Sequence, residues 1–161
     1  MKKIKALKQK IKMFIMDVDG TLTDGKIYIG PHGEVFKAFN TRDGLGIKLL
    51  SGKGVIPVVI TGRHSEIVMA RARELGIEEV YQGVEDKLTI YQKLVDKYKV
   101  SDEEVAFIGD DLNDLPLLNK VGLSFAVADA VWPVREKVDY VTKQRGGEGA
   151  VREAIEVILQ A

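Results

Sequence analysis

FIMDVDGTLTDG, residues 14–25, is the stretch on which the fold turns. An apolar run leads into Asp17, and a second carboxylate, Asp19, follows two positions later. Gly20, Thr21 and then Asp24-Gly25 come next. The run reads as a buried strand that ends in two neighbouring acids. Like charges in an apolar setting repel, and burying them unpaired is costly. A bound cation would offset that cost, and the rest of the chain would then have to supply another ligand.

Outward from this stretch, strand-like runs alternate with amphipathic helical patterns. KMFIMDV (12–18), VIPVVIT (55–61), EVAFIGD (104–110) and LSFAVAD (123–129) read as strands, with a weaker one at VDYVT (138–142). Helices are expected at DGLGIKLLSGKG (43–54), HSEIVMARARELG (64–76), DKLTIYQKLVDKYK (86–99), NDLPLLNKVG (113–122) and GAVREAIEVILQ (149–160), several of them stopped by glycine. The alternation predicts an α/β fold: a doubly wound, Rossmann-like parallel sheet between two helix layers. KIYIGPHGEVFKAF (26–39) interrupts it and reads as a protruding β-hairpin around Gly30-Pro31-His32-Gly33. Both of its faces carry bulky apolar groups, Ile27 and Ile29 opposite Tyr28, and Val35 and Phe39 opposite Phe36, so it either folds back on the domain or is covered by another subunit.

Composition narrows the possibilities. The 161 residues carry 24 Lys plus Arg against 24 Asp plus Glu, with 45% hydrophobic and 30% charged residues, ordinary for a soluble globular protein. The balance gives no electrostatic reason to expect nucleic acid as a partner. Absence of cysteine excludes disulfides, zinc–thiolate sites and thiol catalysis. No apolar run reaches the roughly 20 residues of a membrane span, and the basic start MKKIKALKQKIK lacks the apolar core of a signal peptide. A cytoplasmic protein is expected. Ile4, Leu7 and Ile11 in that basic start are spaced as a helix, either one lying on a membrane surface or a short helix with a solvated lysine face.

In open parallel sheets, ligands sit beyond the C-terminal ends of the strands. Asp17 and Asp19 follow the first strand, Thr61-Gly62-Arg63 the second, and Asp110-Asp111 a later one. Asp110 is the further carboxylate sought, and a hard cation with few protein ligands points to Mg²⁺. Asp17 can act as a nucleophile that forms an aspartyl-phosphate. Asp19 can give a proton to the leaving alcohol and later take one from water. Thr61 offers a hydroxyl, the Thr61-Gly62-Arg63 turn is expected to open a helix whose free N–H groups suit phosphate oxygens, and Lys87 supplies positive charge for the phosphoryl group. Singly, each feature has a plainer reading: a D-x-D is often a turn or cap, Gly-Asp-Asp can cap a helix, and a lysine at a helix start is usually solvated.

Together, DVDGTLTDG, VVITGR, Lys87 and IGDDLNDLP resemble the four motifs of the haloacid dehalogenase superfamily of phosphatases, over almost the whole chain. The resemblance implies Mg²⁺ held by the Asp17 carboxylate, the Asp19 backbone carbonyl and Asp110, with Asp111 and Asp114 behind them. Neither gap between the motifs is long enough for a cap domain, so residues 1–161 are expected to form one capless phosphatase domain. FNTRDGLGIK (39–48), TGRHSEIVMARARELGI (61–77), YQGVEDKL (81–88) and GGEGAVRE (146–153) are similar to the 3-deoxy-D-manno-octulosonate 8-phosphate phosphatase group. That similarity implies a phosphorylated sugar acid as substrate, in lipopolysaccharide synthesis. It would be contacted by Asn40, Thr41, Arg42, Asp43, Gly44, Lys48, Arg63 and Arg71, besides Asp19, Thr61, Gly62 and Lys87. It also implies a homotetramer with hairpins at its centre and each pocket closed by a neighbour, so that Arg71 serves an adjoining subunit. Gly146-Gly147-Glu148-Gly149 reads as a tail flexible enough to reach a crevice. A related phosphatase for nine-carbon, sialic-acid-type 9-phosphates is the nearest alternative; Arg63 disfavours it, because those relatives tend to carry an acid there. A signalling receiver domain is disfavoured by motif order, because it keeps its acid pair at the first strand and its phosphoacceptor later. A non-catalytic domain of the same fold is disfavoured by the intact acids and lysine.

Overall fold

Met13–Met16 (β1) is apolar and fully buried at every position, as a strand with neighbours on both edges and helices on both faces must be. The computed structural model describes residues 2–160. Around β1 the chain runs α1 (Lys2–Leu7), β2 (Tyr28–Gly30), β3 (Gly33–Phe36), α2 (Thr41–Gly52), β4 (Ile56–Ile60), α3 (Glu66–Leu75), β5 (Glu79–Tyr81) and α4 (Lys87–Tyr98). It continues through β6 (Val105–Gly109), α5 (Leu115–Leu118), β7 (Leu123–Ala126), α6 (Trp132–Arg135), β8 (Tyr140–Val141) and α7 (Ala150–Leu159). Six strands form one sheet in the order β5-β4-β1-β6-β7-β8, every adjacent pair parallel.

The chain winds from β1 to β4 and β5 in one direction, then returns past β1 to β6, β7 and β8. Because crossovers are right-handed, the two directions place their helices on opposite faces. Thus α2 packs against α3 and α7 on one face, and α4 against α5 on the other. The reversal opens a crevice at the C-terminal end of β1. Register aligns what reaches it: Met16 lies opposite both Val59 and Ile108, so Asp17, Thr61 and Asp110 emerge at nearly one level.

The doubly wound sheet and the hairpin are as expected, with several local differences. The strands are shorter than the apolar runs, because Asp17, Thr61 and Asp110 already lie off their ends. The short edge strand β5 and the one-turn α6 carry no periodic pattern and were not anticipated. Residues 113–122 do not make one helix: a 3-10 turn, Leu112–Asp114, precedes the single-turn α5, with Pro116 at its start, where it has no N–H to give. The helix expected to open at Thr61-Gly62-Arg63 begins only at Glu66, after Ser65. Residues 146–149 are not a free tail: the Gly147 N–H donates to the Thr21 carbonyl (3.1 Å) and the Gly146 N–H to Asp129 Oδ1 (2.9 Å). A Cβ on Gly146 would lie 1.8 Å from the Gly20 carbonyl oxygen, so only glycine allows this approach. In the basic N-terminal segment Leu7 and Ile11 are buried, which makes it a lid on the domain's own core. Among the described residues no helix is long and apolar enough to cross a membrane.

The hairpin strands form a separate two-stranded sheet. Tyr28 and Phe36 stack at 4.2 Å on one face. Ile29 is 74% and Val35 57% exposed, so the apolar surface that the sequence left without a home remains uncovered within one chain.

Candidate active site

Four chain segments meet at the crevice. The loop after β1 turns through Gly20 (φ +90°), and the Val18 carbonyl accepts from the N–H groups of Thr21, Leu22 and Thr23. That turn leaves Asp17 facing inward and places Asp19 beyond the strand. Asp86 caps α4 by accepting from the Leu88 N–H (3.0 Å), and this sets Lys87 at the first helical position, pointing under the crevice. Lys87 is buried, and its Nζ donates to Asp17 Oδ1 and to Asp114 Oδ1, each at 2.6 Å. Burial pulls the lysine pKa down, but the charges of Asp17 and Asp114 outweigh it and raise it above its ordinary value.

Asp114 ties the fourth segment in. Its second oxygen accepts from the N–H groups of Asp110 (2.9 Å) and Asp111 (3.3 Å), so it braces the turn after β6 while it holds Lys87. Asp111, exposed, caps the following turn by accepting from the Leu112 N–H (2.7 Å). Carboxylate oxygens of Asp17, Asp110 and Asp114 lie within 4.8 Å of one another. Burial pushes the Asp17 carboxyl up to about 6, with Lys87 pulling it down and Asp114 pushing it up. Burial, then the charges of Asp17 and Asp114, push Asp110 up to about 9. Three acids and one lysine thus leave negative charge uncompensated, which a small divalent cation would relieve. Asp114 has both oxygens engaged, whereas Asp17 and Asp110 face each other. Among the described residues the Asp19 carbonyl accepts no hydrogen bond. All-oxygen donors of this kind fit Mg²⁺.

Asp17, Asp19, Thr61, Gly62, Arg63 and Asp110 line one open cleft of about 190 Å³, together with Asp111 and Asn113. The N–H groups of Gly62 and Arg63 have no partner among the described residues and are available to an anion. A cleft with a paired carboxylate, a carboxylate beyond it, free donors and a cation site can transfer a phosphoryl group. The other expected substrate residues lie elsewhere. Asn40, Asp43, Gly44 and Arg71 border a separate small pocket of about 20 Å³, room for one water. There Asp43 Oδ2 and Arg71 Nε are buried without partners. Arg71 reaches Glu74 (2.8 Å), and its guanidinium lies 5.8 Å from the Phe39 ring centre. Asn40 caps α2 by accepting from the Arg42 N–H (2.8 Å), and Thr41, Arg42 and Lys48 are exposed.

Sequence reasoning missed one part of the crevice. Lys37, at the foot of the hairpin, donates to Asp19 Oδ1 (2.6 Å) and pairs with Glu34 Oε1 (2.8 Å), and Glu34 accepts from the Ser65 hydroxyl. The available signal was the pair Glu34 and Lys37, two charges that flank the apolar Val35-Phe36 at the end of the hairpin.

A family model described as haloacid dehalogenase-like hydrolase matches residues 70–155. The chain is 46% identical over 158 residues to the 3-deoxy-D-manno-octulosonate 8-phosphate phosphatase KdsC of Escherichia coli (strain B / BL21-DE3), covering 98% of this chain and 84% of that one. The enzyme of that name from Yersinia pestis is 48% identical over 151 residues, covering 94% and 81%. Among solved structures, the 3-deoxy-D-manno-octulosonate 8-phosphate phosphatase of Moraxella catarrhalis, in complex with magnesium ion, phosphate ion and KDO, superposes with a TM-score of 0.96 at 43% identity, covering 99% and 92%. The cobalt-bound deoxy-D-mannose-octulosonate 8-phosphate phosphatase of Haemophilus influenzae gives a TM-score of 0.92 at 44% identity, covering 95% and 90%. With the crevice, its acids and its lysine in place, these likenesses make the chain a member of the haloacid dehalogenase-like hydrolases and, within them, of the 3-deoxy-D-manno-octulosonate 8-phosphate phosphatase family.

Proposed function

We propose that this protein is a Mg²⁺-dependent phosphatase that hydrolyses 3-deoxy-D-manno-octulosonate 8-phosphate to the free sugar acid and phosphate, in lipopolysaccharide synthesis. One observation carries the proposal: near full-length likeness to phosphatases of that name, one of them solved with magnesium, phosphate and KDO, supported by a cleft that Asp17, Asp19, Thr61 and Asp110 line together.

In this reading an Asp17 oxygen attacks phosphorus while the bond from phosphorus to the sugar oxygen breaks, and Asp19 hands that oxygen its proton. Water then attacks the aspartyl-phosphate, Asp19 takes a proton from it, and phosphate leaves with Asp17 regenerated. Lys87 holds Asp17 in place and balances its charge, while Thr61 and the N–H groups of Gly62 and Arg63 receive the phosphoryl oxygens. A magnesium ion held by the Asp17 carboxylate, the Asp19 carbonyl and Asp110 would neutralise the transferring group.

The whole chain serves as one cytoplasmic, capless domain. Its cleft is smaller than the usual ligand pocket of about 300–1,000 Å³ and open to solvent. Homotetramer formation through the apolar hairpins would let a neighbour supply the missing wall, including Arg71 and the segment 40–44. Phosphate release from a panel of sugar-acid phosphates, nine-carbon 9-phosphates included, with and without Mg²⁺, tests the substrate. Mixing Asp17→Asn and Arg71→Ala chains tests the shared pocket: activity above either variant alone is expected, and a fully active monomer by light scattering contradicts it.

A further inference from the structure

We propose that Lys37 is a positioning residue of the reaction: from the foot of the hairpin its ammonium group fixes the Asp19 carboxylate in the orientation from which Asp19 serves the leaving oxygen. This rests on the reading of Asp19 as the acid.

Asp19 needs such a hold. It lies past the end of β1, in a loop whose turns are made by its neighbours. Among the described residues its carboxylate has one other cation near it, the Arg63 Nε at 3.9 Å, on a half-exposed side chain. Lysine–carboxylate pairs in solvent contribute little because both side chains stay mobile. Lys37 is different, since its side chain is 1% exposed and lies between two carboxylates, Asp19 Oδ1 at 2.6 Å and Glu34 Oε1 at 2.8 Å. Glu34 is itself fastened by the hydroxyl of Ser65, the residue that precedes α3. Three segments are therefore stitched at one point: the loop after β1, the hairpin, and the loop after β4. A proton donor acts only when its oxygen stands within hydrogen-bond reach of the departing atom, and small misplacement is expensive in rate.

Comparing leaving groups tests this. The constant kcat/KM reports events up to cleavage of the first phosphorus–oxygen bond, so hydrolysis of the aspartyl-phosphate does not enter it. The sugar alkoxide needs a proton to depart, whereas p-nitrophenolate leaves without one. For Lys37→Met, kcat/KM with the octulosonate 8-phosphate should fall about 10- to 100-fold, and with p-nitrophenyl phosphate less than about threefold. Lys37→Arg should recover part of the loss. Equal losses on the two substrates, or no loss on either, overturn the proposal. Asp19→Asn is measured alongside. If it lacks the leaving-group dependence, the reading of Asp19 fails and takes this proposal with it; if it shows the dependence and Lys37→Met does not, Lys37 alone is wrongly assigned. Should Lys37→Met fail to fold by circular dichroism, Glu34→Gln removes the charge of the lysine's second partner and keeps its shape. It should give a smaller loss with the same selectivity, and an unselective loss overturns the proposal equally.

Discussion

A Cβ atom on Gly20 would stand 2.0 Å from Asp110 Oδ2. The glycine after the two acids therefore leaves the room that the later acid fills, and its positive φ of 90° is one that side chains resist. Gly109 and Asp114 repeat the relationship, with a clearance of 2.4 Å. Gly20→Ala should displace Asp110 and weaken Mg²⁺ binding about 10- to 100-fold. A Mg²⁺ titration of activity checks this, and an unchanged midpoint would contradict it.

Lys87 is the shared counter-ion of two buried carboxylates, Asp17 and Asp114. Lys87→Met leaves Asp17 and Asp114 facing each other without it, which should destabilise the fold by about 3–5 kcal/mol. Thermal unfolding in EDTA should show a large loss, partly recovered on adding Mg²⁺. Stability equal to wild type in EDTA would mean that the lysine is not the counter-ion of this pair.

Asp19 contributes its carbonyl to the cation in the proposed arrangement, and its side chain to proton transfer. Asp19→Ala should accordingly keep the Mg²⁺ dependence of wild type while losing about 10²–10⁴ in turnover. Recovery of activity by excess Mg²⁺ would instead make the side chain a metal ligand.

Asp43 is buried where α2 meets α7, and its Oδ1 accepts from the Arg152 N–H at 2.8 Å. Burial pushes its carboxyl from 3.8 up to about 6, although the Arg152 N–H and the charges of Arg71 and Arg152 pull it back. The native state thus holds this proton more tightly than the unfolded chain. The stability it brings is full below pH 4 and is lost as pH rises through 6. Asp43→Asn should therefore gain stability relative to wild type between pH 4.5 and 7.5, by about 2–3 kcal/mol at most. Urea unfolding of both proteins at the two pH values measures the difference; a pH-independent difference removes Asp43 as its source.

The parts legible in the sequence were those with local causes. Apolar runs ending in acids mark β1 and β6, and the rule that ligands lie beyond the C-terminal ends of parallel strands brings Asp17, Asp19, Thr61 and Asp110 to one cleft. Lys37 escaped because its partner Asp19 sits in the loop after β1, outside the hairpin, and nothing in the spacing of Asp19 and Lys37 signals contact. The edge strand β5 escaped because its stability comes from partners: Glu79 accepts from Tyr81 (2.5 Å) and also meets Lys97 and Tyr98 of α4. Residues 146–149 misled because glycine permits both freedom and close contact. Which one holds was decided by the loop at 20–24, far away in sequence.

The central place of β1 also bears on how the chain is made. It precedes the other strands of its sheet along the chain, yet the partners for its two edges are residues 56–60 and 105–109. Until the second of these has left the ribosome, four wholly apolar residues have an open edge, the kind of surface on which nascent chains aggregate. Asp17 and Asp110 can meet only when that wait ends. A truncated product that stops before Asp110 would be both sticky and inert, and each copy of the enzyme gains its chemistry in the same late step that hides its most aggregation-prone strand.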